Sequence, residues 1–174
     1  MPAWPTQERP DEVWDMVAFL QVMTRLEPEN YRVLVGGDQA ARCAGCHGVD
    51  GNSEGPAFPR LDIQSPQYLT AALRAYREGT RKSGTMQWAA HQLTDTQIEQ
   101  LANHFGRLVP AQPSGTSGAE IAQHGLPDRD VAACQSCHDG KRADYPRLAG
   151  QSKDYILNQL EVFATLGEKR GGPH

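Results

Sequence analysis

Apolar residues recur along this chain at three- and four-residue intervals, and no segment alternates convincingly with the period of a strand. From Tyr68 to Glu78, Leu69, Ala72, Leu73 and Tyr76 fall on one helical face, and Gly79 ends the run. From Tyr155 to Thr165, Ile156, Leu160 and Phe163 repeat that stripe, which stops near Gly167. Thr94-Asp95-Thr96-Gln97 has the form of a capping box. It opens a helix in which Ile98, Leu101, Ala102 and Phe105 share a face. Asp11 to Met23 reads as the same kind of element, with Val13, Met16, Val17 and Leu20 turned inward. The pattern predicts an all-α fold. Pro110 to Gly118, rich in Pro, Ser and Gly, reads as a linker.

The stripes sit inside a longer repeat. Pro59-Arg60-Leu61-Asp62-Ile63-Gln64-Ser65 returns as Pro146-Arg147-Leu148-Ala149-Gly150-Gln151-Ser152, and each copy runs on to a tyrosine, Tyr68 or Tyr155. Five identities at one offset are too many for coincidence. Upstream, Cys43 and Cys134 are 91 residues apart whereas the prolines are 87 apart, so the first copy has a longer loop before its proline. Gly48, Gly51 and Gly55 occupy that loop, which reads as a flexible connection.

Composition narrows the picture. A chain of 174 residues makes one large domain or two small ones. A net charge of −4 and no basic run longer than Arg81-Lys82 give no sign of nucleic-acid binding. Mean hydropathy is −0.59, and no apolar stretch approaches the length of a membrane span. The opening Met1-Pro2-Ala3-Trp4-Pro5 lacks the basic and apolar regions of a secretory leader.

All four cysteines fall in two copies of Cys-x-x-Cys-His: Cys43, Cys46 and His47, then Cys134, Cys137 and His138. This is the attachment pattern of c-type haem. Two intervening residues set the sulfurs about one helical turn apart, roughly 5.4 Å along the axis, so each can form a thioether with one vinyl group while the adjoining imidazole binds iron. A shared four-cysteine zinc site is a competing reading, but its halves usually lie about 15–20 residues apart; here 87 residues intervene. Zinc also gives no reason for a histidine after both second cysteines. A thioredoxin-like pair wants a βαβ setting that neither motif has. A disulfide across two residues constrains little.

With these residues the chain resembles class I cytochromes c, in particular multi-haem proteins built from tandem small domains. The resemblance covers nearly the whole chain: the Cys-x-x-Cys-His pairs, the Pro-Arg-Leu-x-x-Gln segments, the Tyr-led helices, and Met86 ahead of a terminal helix. It implies helices wrapped around two covalent haem c groups and electron transfer rather than substrate conversion. It also implies the periplasm or the outer face of the cytoplasmic membrane. Redox proteins are the implied partners, a membrane dehydrogenase or terminal oxidase among them, and nucleic acid is not.

The resemblance assigns His47 and His138 as iron ligands and Met86, 39 residues beyond His47 in the glycine-bearing loop Ser83-Gly84-Thr85, as sixth ligand of the first haem. A thioether there raises the potential relative to a second imidazole. The carbonyls of Pro59 and Pro146 are expected to fix the two imidazoles. Arg60 and Arg147 are expected to pair with haem propionates. Leu61, Leu148, Tyr68, Tyr155 and Trp88 are expected to pack on the porphyrins, and His91, His104 and His124 to lie on the surface.

The expected domains are 27–109 and 118–174, joined by 110–117. Residues 1–26 parallel the stretch from Met86 through the capped helix and read as the tail of a preceding haem domain, with Met1 in the ligand position. The second domain has no methionine after His138. By register His174 stands where Met86 stands, which makes it a bis-histidine ligand or leaves the true ligand and final helix beyond the chain end; truncation is the simpler reading. An open second haem would instead suit an enzyme reacting with peroxide or a small gas.

Overall fold

A computed structural model describes residues 39–53, 58–110 and 119–167, together with Val13, Val17 and Leu20. Its elements are α1 (Gln39–His47), α2 (Pro66–Arg77), α3 (Gly84–Ala90), α4 (Asp95–Phe105), α5 (Ala119–His124), a 3-10 turn (Pro127–Arg129), α6 (Gln135–His138) and α7 (Lys153–Leu166). Among the described residues there is no strand, only an isolated bridge between Leu126 and Val131. No described helix is long and apolar enough to cross a membrane.

The helices begin where local chemistry satisfies their unpaired amides. Ser65 caps α2, its hydroxyl accepting from Tyr68 N at 3.1 Å, and Pro66 takes the first turn. Thr94 caps α4 in a complete box: its hydroxyl accepts from Gln97 N, and the Gln97 side chain accepts from Thr94 N at 2.8 Å. Ser152 caps α7 through its hydroxyl alone, accepting from Tyr155 N at 3.3 Å.

The core of the first repeat lies between α2 and α4. Tyr68, Leu69 and Ala72 meet Leu101, Ala102 and Phe105, with Leu61, Leu73, Leu93 and Leu108 around them. Each fully buried aliphatic or aromatic side chain here contributes about 1.5–3 kcal/mol of transfer free energy. The end of α4 closes tightly on the start of α2: a Cβ on Gly106 would stand 2.8 Å from Pro66 N. Helix α1 packs against α4, and α3 against α2.

Two expectations change here. The segment before Met86 reads as a loop, yet Ser83 caps α3, accepting from Met86 N at 3.2 Å, while Gln87 Oε1 accepts from Ser83 N at 3.2 Å. The returning glutamine stands four residues beyond the cap, one more than the box pattern requires. The glycine loop is also more constrained than a flexible connection. Gly51 has φ +69°, a Cβ on it would stand 2.9 Å from Asp62 N, and its carbonyl accepts from Leu61 N at 2.7 Å. Gly55 lies outside the described residues.

In the second repeat α5 packs beside α6. Helix α6 has only four residues, and α7 buries Val162 alone while Leu157, Leu160 and Phe163 stand exposed. Val13, Val17 and Leu20 are helical but exposed, so these three members of the first apolar stripe face solvent rather than a core. Met1, the other residues from Asp11 to Met23, linker residues 111–118 and His174 lie outside the described residues.

The two repeats meet through a reciprocal pairing. Gln64 Oε1 accepts from Arg147 N at 2.8 Å, and Gln64 Nε2 donates to Arg147 O at 2.9 Å. Gln151 Oε1 accepts from Arg60 N at 2.9 Å, and Gln151 Nε2 donates to Arg60 O at 3.2 Å. Each side-chain amide thus satisfies both backbone groups of the arginine in the opposite copy. Ser65 Oγ adds a bond to Ala143 O at 3.1 Å.

Candidate functional site

The Cys-x-x-Cys-His motifs end α1 and α6. All four cysteines are half-buried thiols rather than disulfides. Among the described residues no three His, Cys, Asp or Glu gather into a group that could hold a metal ion.

His47 Nδ1 lies 2.9 Å from Pro59 O, and His138 Nδ1 lies 2.7 Å from Pro146 O. A carbonyl only accepts, so each Nδ1 carries the hydrogen and each Nε2 keeps its lone pair for a metal. Phe58 meets the His47 ring edge-on at 6.2 Å between centroids, and Tyr145 meets His138 at 5.6 Å. These aromatics directly precede the two prolines, so the repeat extends one position further upstream than its identities suggest. His47 is buried, and burial lowers its pKa against the opposing effect of the Pro59 hydrogen bond. His138 is only half-buried.

A cavity of about 400 Å³ opens between the repeats. Cys43, His47, Met86, Cys134 and His138 all border it. Leu61, Tyr68, Leu69, Leu101 and Phe105 line the first side, and Leu148, Tyr155, Ile156, Leu160 and Phe163 the second. Thiols, a metal-ready imidazole and an apolar wall recur on both sides. That donor set fits a covalently bound iron porphyrin in each repeat.

Residues 38–108 match the family Cytochrome c. A "thiosulfate dehydrogenase electron acceptor" from Thiomonas intermedia is 32% identical over 78% of this chain and 68% of its own length. Cytochrome c4 of Stutzerimonas stutzeri is 32% identical over 74% of this chain and 70% of its own. This chain belongs to the cytochrome c family. A solved cytochrome c4 from Acidithiobacillus ferrooxidans superposes with a TM-score of 0.62 at 33% identity, covering 70% of this chain and 79% of that one. The chain spans roughly two thirds of the length of these curated relatives. It is an all-helical cytochrome c that carries haem c and transfers electrons, working with redox protein partners.

Within this cytochrome, several expected site residues take other surroundings. Trp88 is 48% exposed with Arg42 5.9 Å from its ring centroid, and it does not border the cavity. Arg60 was expected to face a propionate, but its Nε and terminal nitrogen grip Asp62 at 3.0 and 2.6 Å, and a further nitrogen donates to Gly150 O at 3.0 Å. Its charge is therefore already balanced in the seam between the repeats. Arg147 is more open, reaching Ile63 O at 3.4 Å. His91, His104 and His124 are exposed. Reading by motif missed Gln64 and Gln151 as seam residues, although their recurrence at one offset was the available signal. It also missed Arg81, whose burial follows from packing alone.

Proposed function

We propose that this cytochrome is a two-centre electron relay in which residues 27–109 and 118–174 each hold one haem. Cys43 and Cys46 anchor the first porphyrin through thioethers, and Cys134 and Cys137 the second. His47 and His138 bind iron through Nε2. Haem iron supplies one-electron chemistry by alternating between ferric and ferrous states. The polypeptide fixes the ligands, so that coordination need not rearrange with oxidation state, and keeps water away. What carries the reading is the recurrence, on both sides of one cavity, of a histidine whose Nδ1 is committed to a proline carbonyl.

Met86 is the sixth ligand of the first haem in this reading, supported by its place at the cavity wall in the first turn of α3. Pro59 and Pro146 hold the imidazoles in register. Arg147 is the candidate for a propionate of the second haem, and the Asp62 pairing leaves Arg60 less suited to that role in the first. The compartment is the periplasm. The name of the Thiomonas relative supports a dehydrogenase as electron donor.

The test is a pyridine haemochrome spectrum with intact mass, on protein made in a host with haem-attachment machinery. Two covalent haems per chain are expected. A mass equal to bare polypeptide would end the proposal. The ferric spectrum should show a methionine-to-iron charge-transfer band at the red end of the visible range, and Met86→Ala should abolish it.

A further inference from the structure

Arg81 is 4% exposed and borders the cavity in the first repeat. One of its terminal nitrogens donates to Tyr68 Oη at 3.1 Å, and the guanidinium lies 4.7 Å from the centroid of the Tyr76 ring. No carboxylate pairs with it among the described residues. Guanidinium stays protonated at any ordinary pH and brings five N–H donors. Taking such a charge out of water without an anion costs several kcal/mol. One phenol oxygen and one aromatic face offset only part of that.

Other arginines in the described structure emphasise the gap. Arg60, equally buried, grips Asp62 with two nitrogens. Arg74 and Arg77, nearer the surface, pair with Glu99 and Asp95. Among the described arginines Arg81 alone combines deep burial, a place at the cavity wall and no acid from the described residues.

We infer that Arg81 binds a propionate of the first haem and, by placing a buried positive charge beside it, raises that haem's reduction potential. The inference rests on the haem-binding reading above and assigns the propionate contact to a different residue from Arg60. A fixed cation near the iron favours the ferrous state, because reduction lowers the positive charge on the metal. Tyr68 holds the guanidinium in place, and Tyr155 of the second repeat borders the same cavity. Arg81 is a positioning and potential-setting residue.

The experiment uses the full chain loaded with haem, in wild type, Arg81→Lys and Arg81→Met. Resonance Raman reads the propionate-bending band, and a spectroelectrochemical titration reads the two potentials. Arg81→Met should lower one potential, leave the other in place and shift the propionate band. Arg81→Lys keeps the charge but replaces a planar fork with a point donor, so it should hold the potential near wild type and still shift the band. Should Arg81→Met fail to fold or to load haem, the Arg81→Lys band decides alone. An unchanged band in Arg81→Lys overturns the inference. A wild-type chain with no covalent haem sinks the underlying functional reading instead, which keeps the two failures distinct.

Discussion

The two repeats carry the same motif and enclose it differently. In the first, the motif ends a nine-residue helix packed under α4, and its histidine is buried. In the second, the motif sits on a four-residue helix, its histidine is half-buried, and α7 leaves three large apolar side chains in the open. The difference lies in α4. Helix α2 has that partner to cover Leu69 and Ala72, whereas α7 packs on no comparable helix among the described residues. The lesson is that Cys-x-x-Cys-His and its proline fix an imidazole locally, while the shielding of that imidazole depends on a helix about fifty positions further along the chain.

The largest effect should come from removing attachment on one side at a time. Cys43→Ser with Cys46→Ser should lower the intact mass by one haem and loosen the α2–α4 core, read as lost helical signal by circular dichroism. Cys134→Ser with Cys137→Ser should lower the mass equally but leave most of that signal. Equal structural loss from both pairs would erase the distinction between the repeats.

Packing should separate them next. Ile98 is fully buried, and Ile98→Ala should cost about 2–5 kcal/mol in urea unfolding. Leu157 is about half exposed, and Leu157→Ala should stay within about 0.5 kcal/mol. A large loss at Leu157 would mean that something in the intact protein covers α7.

The seam should behave symmetrically where the cores do not. Gln64→Ala and Gln151→Ala each strand a backbone N–H and C=O, at a cost of about 1–3 kcal/mol apiece. Similar losses are expected from both, because the contacts are mirror copies. A marked inequality would show that one repeat dominates the junction.

The smallest effect is a pH dependence carried by one exposed ion pair of the first repeat. Asp95 sits beside Arg77, whose hydrogen bond and charge hold its carboxyl below the usual range. Its contribution is fully present above the unfolded-state carboxylate pKa and fades as pH falls through the lower folded value. Asp95→Asn should flatten stability across that acid window and change little near neutrality, since the group is exposed.

The helices were legible because their signals are local: a serine or threonine cap, an apolar stripe and a closing glycine announce α2, α4 and α7 within a dozen residues. The bonds of His47 to Pro59 and of His138 to Pro146 were legible too, since each motif is followed closely by its proline. Helix α3 was not, since Gln87 returns to Ser83 one residue off the familiar box spacing. Neither Arg60's pairing with Asp62 nor the burial of Arg81 against tyrosines rather than an acid could be read, because burial and charge balance are properties of the assembled walls. Trp88 misled on grounds of type: an aromatic near the ligand loop suggests a cofactor wall, and this one turned outward.

The double amide handshake has a consequence for ancestry. Each copy offers the same glutamine and receives it at the same arginine backbone, which is the geometry of a two-fold interface between identical partners. A lone ancestral unit would already hold both halves of the clasp and could pair with its twin. Gene fusion would then need to supply only the tether, after which the halves were free to diverge around a junction neither could change alone.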